Sequence, residues 1–165
     1  MAKTENKNDR DSSCKSIQFP FNIDIRFPGD LEYIPAVREF IAELLQVSNF
    51  SPKFAYRSEI IVDEICNNAV VYGCKSENAE ILLSNTILKD RIEFKIQDEG
   101  GTQDNLKRLK KAVNETAINN GNDPKEGLGL EIVRMLSERL DVLIDNDNLT
   151  SVHIVRKRED EREDF

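Results

Sequence analysis

The spacing of apolar and polar residues changes several times along the chain, and each spacing predicts a helix or a strand. Residues 17–27, IQFPFNIDIRF, alternate between apolar and polar and predict a first strand, which Pro20 favours at the edge of a sheet. Over residues 31–47 the apolar positions recur every three or four residues, which predicts a helix capped by Asp30. The same spacing predicts a second helix over residues 55–72.

The second half of the chain contains strand-like runs separated by a long polar stretch. The runs lie at residues 80–88, 91–98, 141–147 and 150–157. Two polar residues join the first pair, which predicts a hairpin, and helical spacing predicts a helix over residues 129–140. The polar stretch, residues 99–126, is long for a connection inside a compact domain and is therefore a candidate lid. Within it, residues 106–113 predict a short helix.

The order of these elements predicts the fold class. It is β-α-α-β-β, then the polar stretch, then α-β-β, and strands joined as hairpins favour an antiparallel sheet. We predict an α+β fold, a two-layer α/β sandwich with a mostly antiparallel sheet and helices on one face. One domain over residues 17–157 would follow a flexible polar arm, residues 1–16, and precede a charged tail, residues 158–165.

Composition narrows the class of protein without identifying it. The chain has 165 residues, of which 39% are hydrophobic, and this suffices for one domain with a real core. The net charge of −8 argues against direct binding of nucleic acid, because such proteins usually present a basic face. The polar N-terminus lacks the apolar core of a signal peptide, and no run approaches the ~18 apolar residues of a membrane span. We therefore expect a cytoplasmic protein that contacts neither membrane nor nucleic acid.

Glu64 and Asn68 are the unusual residues of the second predicted helix. They lie four residues apart and project from the same side of it, near an apolar arc. The ordinary interpretation is a solvated face on a core helix. The chemical alternative is that the amide oxygen ligates Mg²⁺, while a carboxylate one turn away accepts a proton from an attacking hydroxyl. The pair alone leaves both interpretations open.

A second candidate is the segment QDEGG at the end of a predicted strand. Asp98 is followed by Gly100 and Gly101, so a carboxylate lies beside a backbone without side-chain bulk. A flat ligand with an exocyclic amine could approach closely and donate to Asp98. A plain turn containing Asp and Gly explains the same residues.

A third candidate is the segment KEGLGLEIV, in which Gly127 and Gly129 stand where a loop becomes a helix. The N–H groups at a helix N-terminus are unpaired and carry partial positive charge, which suits a phosphate. Lys125 could add a charge to the same phosphates, although an exposed lysine explains it equally well. A single G-x-G is weak evidence, because glycines are common in loops.

Taken in order, these segments resemble a known family. A helix with E-x-x-x-N, a strand ending D-x-G, a polar stretch, G-x-G opening a helix and a late strand beginning at Thr150 resemble the ATP-binding domain of the GHKL superfamily, which includes DNA gyrase, Hsp90, histidine kinases and MutL. The chain is most similar to the stand-alone bacterial anti-sigma factor serine/threonine kinases. The resemblance covers about residues 18–157 and implies the histidine kinase/Hsp90-like ATPase (Bergerat) fold.

The resemblance implies a role for each candidate residue. Glu64 would be the general base, and Asn68 would ligate Mg²⁺. Asp98 would recognise the amine of adenine, with Gly100 leaving room for the ring. The rest of the implied ATP site consists of Gly127 and Gly129 along the phosphates, Thr150 at the adenine and residues 101–126 as a lid.

Four positions depart from the family pattern. Thr102 stands where a second glycine is frequent, and Gly101 comes one residue early. Tyr72 stands where histidine is common, and Leu149 stands where a glycine often precedes the threonine. None of these departures removes a residue that the chemistry requires.

Three functions are compatible with the resemblance. The first is an anti-sigma factor with ATP-dependent serine/threonine kinase activity, which binds a sigma factor and phosphorylates an anti-sigma factor antagonist. The second is a nucleotide-binding module that sequesters a partner without kinase activity, and the third is the ATPase part of a larger signalling system. The first is preferred because Glu64 and Asn68 are both present. The resemblance also implies a homodimer with contacts from the helix over residues 31–47. Packing in the core explains the apolar spacing of this helix equally well.

Overall fold

Helices and strands follow one another in the order that the sequence predicts. The computed structural model describes residues 17–105, 107, 111, 128–145, 147 and 149–159. A 3₁₀ turn, Leu31–Tyr33, precedes the first helix, and a π-helical turn, Ala69–Gly73, follows the second. The elements are β1 (Phe21–Pro28), α1 (Ile34–Val47), α2 (Pro52–Asn68), β2 (Glu80–Ile87), β3 (Arg91–Asp98), α3 (Leu128–Leu136), β4 (Arg139–Ile144) and β5 (Thr150–Lys157).

Some predictions concern residues outside the described part of the chain. These are the arm, residues 1–16, most of the tail, residues 158–165, and most of the candidate lid. Of the short helix predicted over residues 106–113, only residues 107 and 111 are described, and both are helical. Within the described ranges, no helix is long and apolar enough to cross a membrane.

The five strands form one sheet in the order β1-β2-β3-β5-β4, and every neighbouring pair is antiparallel. The predicted hairpin joins β2 to β3, and the N–H of Leu88 donates to the carbonyl of Arg91 across its turn. β1 lies at one edge of the sheet, as Pro20 suggests, and β4 lies at the other. The pairing of β3 with β5 sets Asp98 opposite Thr150. The predicted α+β fold with an antiparallel sheet is therefore confirmed.

The core lies between one face of the sheet and the helices. Alternate residues of β2, β3 and β5 are buried, whereas those between them are at least partly exposed, because successive side chains of a strand point to opposite faces. The helices contribute the stripes that their periodicity predicts. The buried apolar residues include Ile41 and Leu45 of α1, Ile61 and Ile65 of α2, Leu83 of β2, Phe94 of β3, Val133 of α3 and Ile154 of β5.

Both ends of α2 differ from the predicted range, residues 55–72. The helix begins earlier because the Ser51 hydroxyl accepts a hydrogen bond from the N–H of Phe54 at 3.1 Å, and proline is well tolerated in the first turn, where Pro52 lies. It ends as an α-helix at Asn68, and the remaining five residues continue as the π turn. In a π turn each backbone hydrogen bond spans five residues instead of four, which widens the helix. Such turns are common at functional sites.

The helix predicted over residues 129–140 is too long by four residues. α3 ends at Leu136, and the Ser137 hydroxyl donates to the carbonyl of Val133 at 2.7 Å. Arg139 already begins β4, and Leu140 pairs with Ile154 of β5. Leu140 pairs within the sheet and packs against the core, so tertiary structure overrides the local periodicity here.

Arg156 is a cation on the buried face of β5, beside the apolar core. Only 2% of it is exposed. Its guanidinium lies 3.9 Å from the centre of the Phe54 ring and donates to the Phe54 carbonyl, the Ser58 hydroxyl and the Glu159 carboxylate. Burial lowers the pKa of Arg156, while the bond to Glu159 opposes that shift. The side chain thus ties the last strand to the first turns of α2.

We expect Arg156→Ala to lower the free energy of unfolding by about 3 kcal/mol, because removing one member of a buried charged network leaves its partners unsatisfied. The measurement is urea unfolding followed by circular dichroism. Lys157→Ala, at the exposed neighbouring position on the same strand, is the matched control and should change the free energy by less than about 0.5 kcal/mol. Equal effects of the two substitutions would contradict the role given to Arg156.

Candidate functional site

A pocket opens where the C-terminal end of α2 meets the end of β3, the start of β5 and the start of α3. Its apolar walls come from four elements and consist of Ile65, Ala69, Ile96, Leu130 and Val152. The remaining lining is polar or without a side chain and consists of Asn68, Tyr72, Gly73, Asp98, Asn105 and Thr150. The pocket therefore combines flat apolar surfaces with a few polar groups, as small-molecule sites commonly do.

Asp98 is the half-buried carboxylate of this pocket. Its Oδ1 accepts a hydrogen bond of 2.7 Å from the N–H of Gly100, and the hydroxyl of Thr150 bonds to the same carboxylate from the neighbouring strand. Burial raises the pKa of Asp98 to about 6, although both hydrogen bonds oppose the rise. Asp98 is thus a strong acceptor that has lost part of its water and can take a further donor from a ligand.

The π turn holds the backbone close to Asp98. A Cβ atom on Gly73 would lie 2.2 Å from the Asp98 carboxyl carbon, so glycine is required for this approach. The Gly73 carbonyl accepts from the N–H of Gly101 at 3.0 Å, and the Tyr72 carbonyl accepts from the Asn105 amide at 3.3 Å. The π turn and the segment after β3 are therefore hydrogen-bonded to each other next to the Asp98 carboxylate.

The departure from the family pattern after Asp98 has a structural explanation. Gly100 and Gly101 have φ values of 84° and 57°, which favour glycine. A Cβ atom on Gly101 would also lie 1.8 Å from the Tyr72 carbonyl oxygen. The Thr102 hydroxyl accepts from the N–H of Asn105 at 3.2 Å and so caps the helical residues that follow. Thr102 therefore begins a helical turn at the position where a second glycine is frequent.

Glu64 and Asn68 lie on the side of α2 that faces the pocket and α3. The Asn68 amide nitrogen donates to Glu64 Oε1 at 3.1 Å. Burial raises the pKa of Glu64, the hydrogen bond from Asn68 opposes the rise, and the charge of Asp63 adds to it. The pair is thus a partly desolvated carboxylate with one oxygen fixed by an amide.

The donor set of the pocket fits an adenine nucleotide with Mg²⁺. Asp98 and Thr150 lie at one end, beside a backbone that Gly73 leaves free of bulk, and the apolar walls suit a flat ring. At the other end the Asn68 amide nitrogen donates to Glu64, and the amide oxygen is a hard donor of the kind that Mg²⁺ takes. The described residues contain no cluster of three or more His, Cys, Asp or Glu side chains for a metal. Mg²⁺ often needs only one or two protein ligands besides phosphate and water.

The structure brings most of the predicted site residues together. Asn68, Asp98 and Thr150 line the pocket, Glu64 is bonded to Asn68, and Gly100 is bonded to Asp98. Gly129 lies in the first turn of α3, against Glu64. Lys125 and Gly127 fall outside the described residues, so their assignment to the phosphates stays a prediction.

Tyr72, Gly73 and Asn105 also line the pocket. No individual role follows for them from the sequence, where Asn105 belongs only to the predicted lid. Gly73 carries a sequence signal, because a glycine that ends an apolar helix commonly marks a close backbone approach. Tyr72 contributes a carbonyl, which any residue would supply. Asn105 lies in a polar stretch where nothing sets it apart from its neighbours.

Comparison with known proteins decides the family. The model of the histidine kinase-like ATPase domain matches residues 27–156, which is most of the chain. The chain belongs to the histidine kinase-like ATPase family. The match spans α2, β3 and β5, and the family is that implied by the motifs around Asn68 and Asp98. The predicted fold type is thereby confirmed as well.

Relatives within this family carry the name serine-protein kinase RsbW. The chain is 26% identical to that of Bacillus cereus strain ATCC 10987 over 125 residues, which cover 74% of this chain and 78% of the relative. The proteins of the same name from Bacillus mycoides and from Bacillus thuringiensis subsp. konkukian are also 26% identical, with the same coverage. That name describes those relatives as serine-protein kinases.

Asp98 gives the histidine kinase-like ATPase domain a specific dependence of stability on pH. The unfolded-state pKa of aspartate is about 3.9, so the folded protein retains a proton that the unfolded chain loses as pH rises from about 4 to about 6. Ionised Asp98 therefore destabilises the fold at neutral pH. We expect Asp98→Asn to raise the free energy of unfolding by about 2 kcal/mol at pH 7.5.

At pH 3.8 Asp98 is protonated in the folded state and about half protonated in the unfolded chain, so the same substitution should bring little gain there. The measurement is urea unfolding of both proteins at pH 7.5 and pH 3.8 without nucleotide. A gain of the same size at both pH values would contradict desolvation as its cause.

Proposed function

We propose that the protein is an ATP-dependent serine/threonine protein kinase that acts as an anti-sigma regulatory factor. It would bind a sigma factor and phosphorylate an anti-sigma factor antagonist, as the motifs imply. The observation that carries the proposal is the pairing of a desolvated Asp98 at one end of the pocket with Glu64 and Asn68 at the other. The relatives named serine-protein kinase support the reaction class.

Adenine would occupy the apolar part of the pocket. Its exocyclic amine would donate to Asp98, whose other hydrogen bonds hold it still. The Thr150 hydroxyl, opposite Asp98 in the sheet, would support the same end of the ring. Ile65 of α2 and Ile96 of β3 would provide flat apolar contacts. Guanine presents a carbonyl where adenine presents the amine, so the carboxylate would reject it.

The other end of the pocket would hold the phosphates. The Asn68 amide oxygen would ligate Mg²⁺, and Gly127, Gly129 and Lys125 would lie along the phosphates. When bound, ATP supplies the γ-phosphoryl group and Mg²⁺ neutralises charge on it. Glu64 would accept the proton of the attacking serine or threonine hydroxyl, and its raised pKa suits that task. The hydroxyl oxygen forms the new bond to phosphorus as the bond to ADP breaks.

The partners would be two proteins that compete for this chain in the cytoplasm. An unphosphorylated antagonist would displace the sigma factor, and its phosphorylation would release the kinase to hold the sigma factor again. The net charge of −8 is compatible with a basic protein partner.

We expect the purified protein, given Mg²⁺ and ATP, to transfer phosphate to a serine or threonine of an antagonist protein. Glu64→Ala should lower the rate about 10²–10⁴-fold, because general-base catalysis contributes that much. The measurement is transfer from radiolabelled ATP, followed by phosphoamino-acid analysis. Glu59→Ala is the matched control, since Glu59 is another carboxylate of α2 and is paired with Arg38 of α1 instead.

The possible results separate the three hypotheses. Equal transfer by wild type and Glu64→Ala would contradict the general-base role. ATP binding without transfer to any antagonist would favour the module that only sequesters its partner. ATP hydrolysis that depends on an added domain of another protein would favour the part of a larger signalling system.

We also propose that the protein is a homodimer through α1. Besides its buried stripe, α1 carries a stripe of exposed apolar residues. This exposed stripe begins in the 3₁₀ turn that precedes the helix. Tyr33, Phe40 and Val47 repeat every seven residues and are 47%, 46% and 70% exposed. This spacing puts all three on one side of the helix. Core packing therefore accounts for only one of the two stripes, and the other supports an interface between copies.

We expect Phe40→Glu to shift the protein from dimer to monomer, because it places a charge in the centre of the exposed stripe. The measurement is light scattering after size-exclusion chromatography at several protein concentrations. Gln46→Glu is the matched control, because Gln46 is exposed on another side of the same helix, and it should leave the mass unchanged. A monomeric wild type, or a Phe40→Glu protein that stays dimeric, would contradict the proposal.

A further inference from the structure

Gly129 is unexpected in the first turn of a helix. Glycine is among the weakest helix formers, because it loses more backbone entropy than other residues. Gly129 is helical, and the glycines with positive φ in the described residues are Gly100 and Gly101 only. The backbone at position 129 therefore does not require glycine, so the reason for it must be the space that a side chain would fill.

The Glu64 carboxylate fills that space. A Cβ atom on Gly129 would lie 1.7 Å from Glu64 Oε1, 1.9 Å from its carboxyl carbon and 2.5 Å from Oε2. All three nearest atoms belong to this one carboxylate. The same Oε1 accepts the hydrogen bond from Asn68. The carboxylate is thus held between an amide of α2 and the bare backbone of α3.

The start of α3 has little freedom to move away. Leu130, next to Gly129, is 5% exposed, and Val133, one turn later, is fully buried. Leu130 lines the pocket together with Ile65 of α2, and Val133 belongs to the hydrophobic core cluster. A side chain at position 129 would therefore displace the flexible end of Glu64 and not the helix.

We propose that Gly129 is a positioning residue for Glu64, which acts by leaving room for the carboxylate and not only by admitting phosphate. The inference rests on the proposed function for its catalytic consequence, since Glu64 is the base there. With alanine at position 129, the carboxylate leaves its place against α3 and loses its bond to Asn68. The proton acceptor is then misplaced for the incoming hydroxyl.

A thermal unfolding cycle without nucleotide tests the contact itself. In a Glu64→Ala background, Gly129→Ala meets no carboxylate, so its better helix propensity should raise the melting temperature by about 2–4 °C. In the wild-type background the same substitution displaces Glu64, so the rise should be smaller or become a fall. In a Glu59→Ala background, the matched control, Gly129→Ala should behave as in wild type, because Glu59 is a carboxylate of α2 that is paired with Arg38.

A kinetic cycle tests the consequence for the reaction. Gly129→Ala alone should lower kcat for phosphoryl transfer about 10²-fold, because a misplacement of about 1 Å at the reacting centre has that effect. In the Glu64→Ala background the same substitution should change kcat less than about twofold, since the base is already absent. A general disturbance of the fold would lower kcat in both backgrounds.

Two results would overturn the inference. One is an equal melting-temperature shift from Gly129→Ala in the wild-type and Glu64→Ala backgrounds, as expected if glycine only lets phosphate approach. The other is an additive loss of kcat in the two backgrounds. Because the melting cycle uses neither nucleotide nor antagonist, it still decides the contact if no phosphoryl transfer is found, and that failure would count against the proposed function alone.

Discussion

The partly desolvated carboxylate of Asp98 is the constraint on which the rest of the pocket depends. A carboxylate loses solvation energy when it leaves water, and here the Gly100 N–H and the Thr150 hydroxyl compensate for only part of that loss. The register of β3 on β5 is needed to bring Thr150 opposite it. A backbone without bulk is needed above it, which Gly73 provides. The register of the sheet, the geometry of the turn and the placement of glycine thus all determine the surroundings of the Asp98 carboxylate.

α2 connects this acceptor to the proposed reacting end. Its α-helical part ends at Asn68, which holds Glu64, and its π turn ends at Gly73, which covers Asp98. The two ends of the pocket are therefore set by one continuous helical segment. Glycine recurs where that segment or its neighbours approach a carboxylate, at Gly73 against Asp98 and at Gly129 against Glu64. Because the packing is close, a methyl group added at either glycine would collide with the neighbouring carboxylate.

Local pattern predicted the fold better than it predicted boundaries and contacts. The element order and the hairpin between β2 and β3 follow from periodicity and turn chemistry. The end of α3 does not, because residues 137–140 continue a helical pattern that pairing with β5 overrides. Glu64, Asn68 and Asp98 were identified through motif order. Glu64 and Gly129 lie in two helices that are far apart in sequence. Rules based on local spacing therefore do not predict their contact.

The most direct test of the account is nucleotide binding by the purified protein with Mg²⁺, measured by calorimetric titration with ATP and with GTP. ATP should bind about 100-fold more tightly than GTP, because guanine would leave the Asp98 carboxylate facing a carbonyl. Asp98→Ala should abolish that preference. Equal affinities for ATP and GTP, or an Asp98→Ala protein that keeps the wild-type preference, would contradict the account.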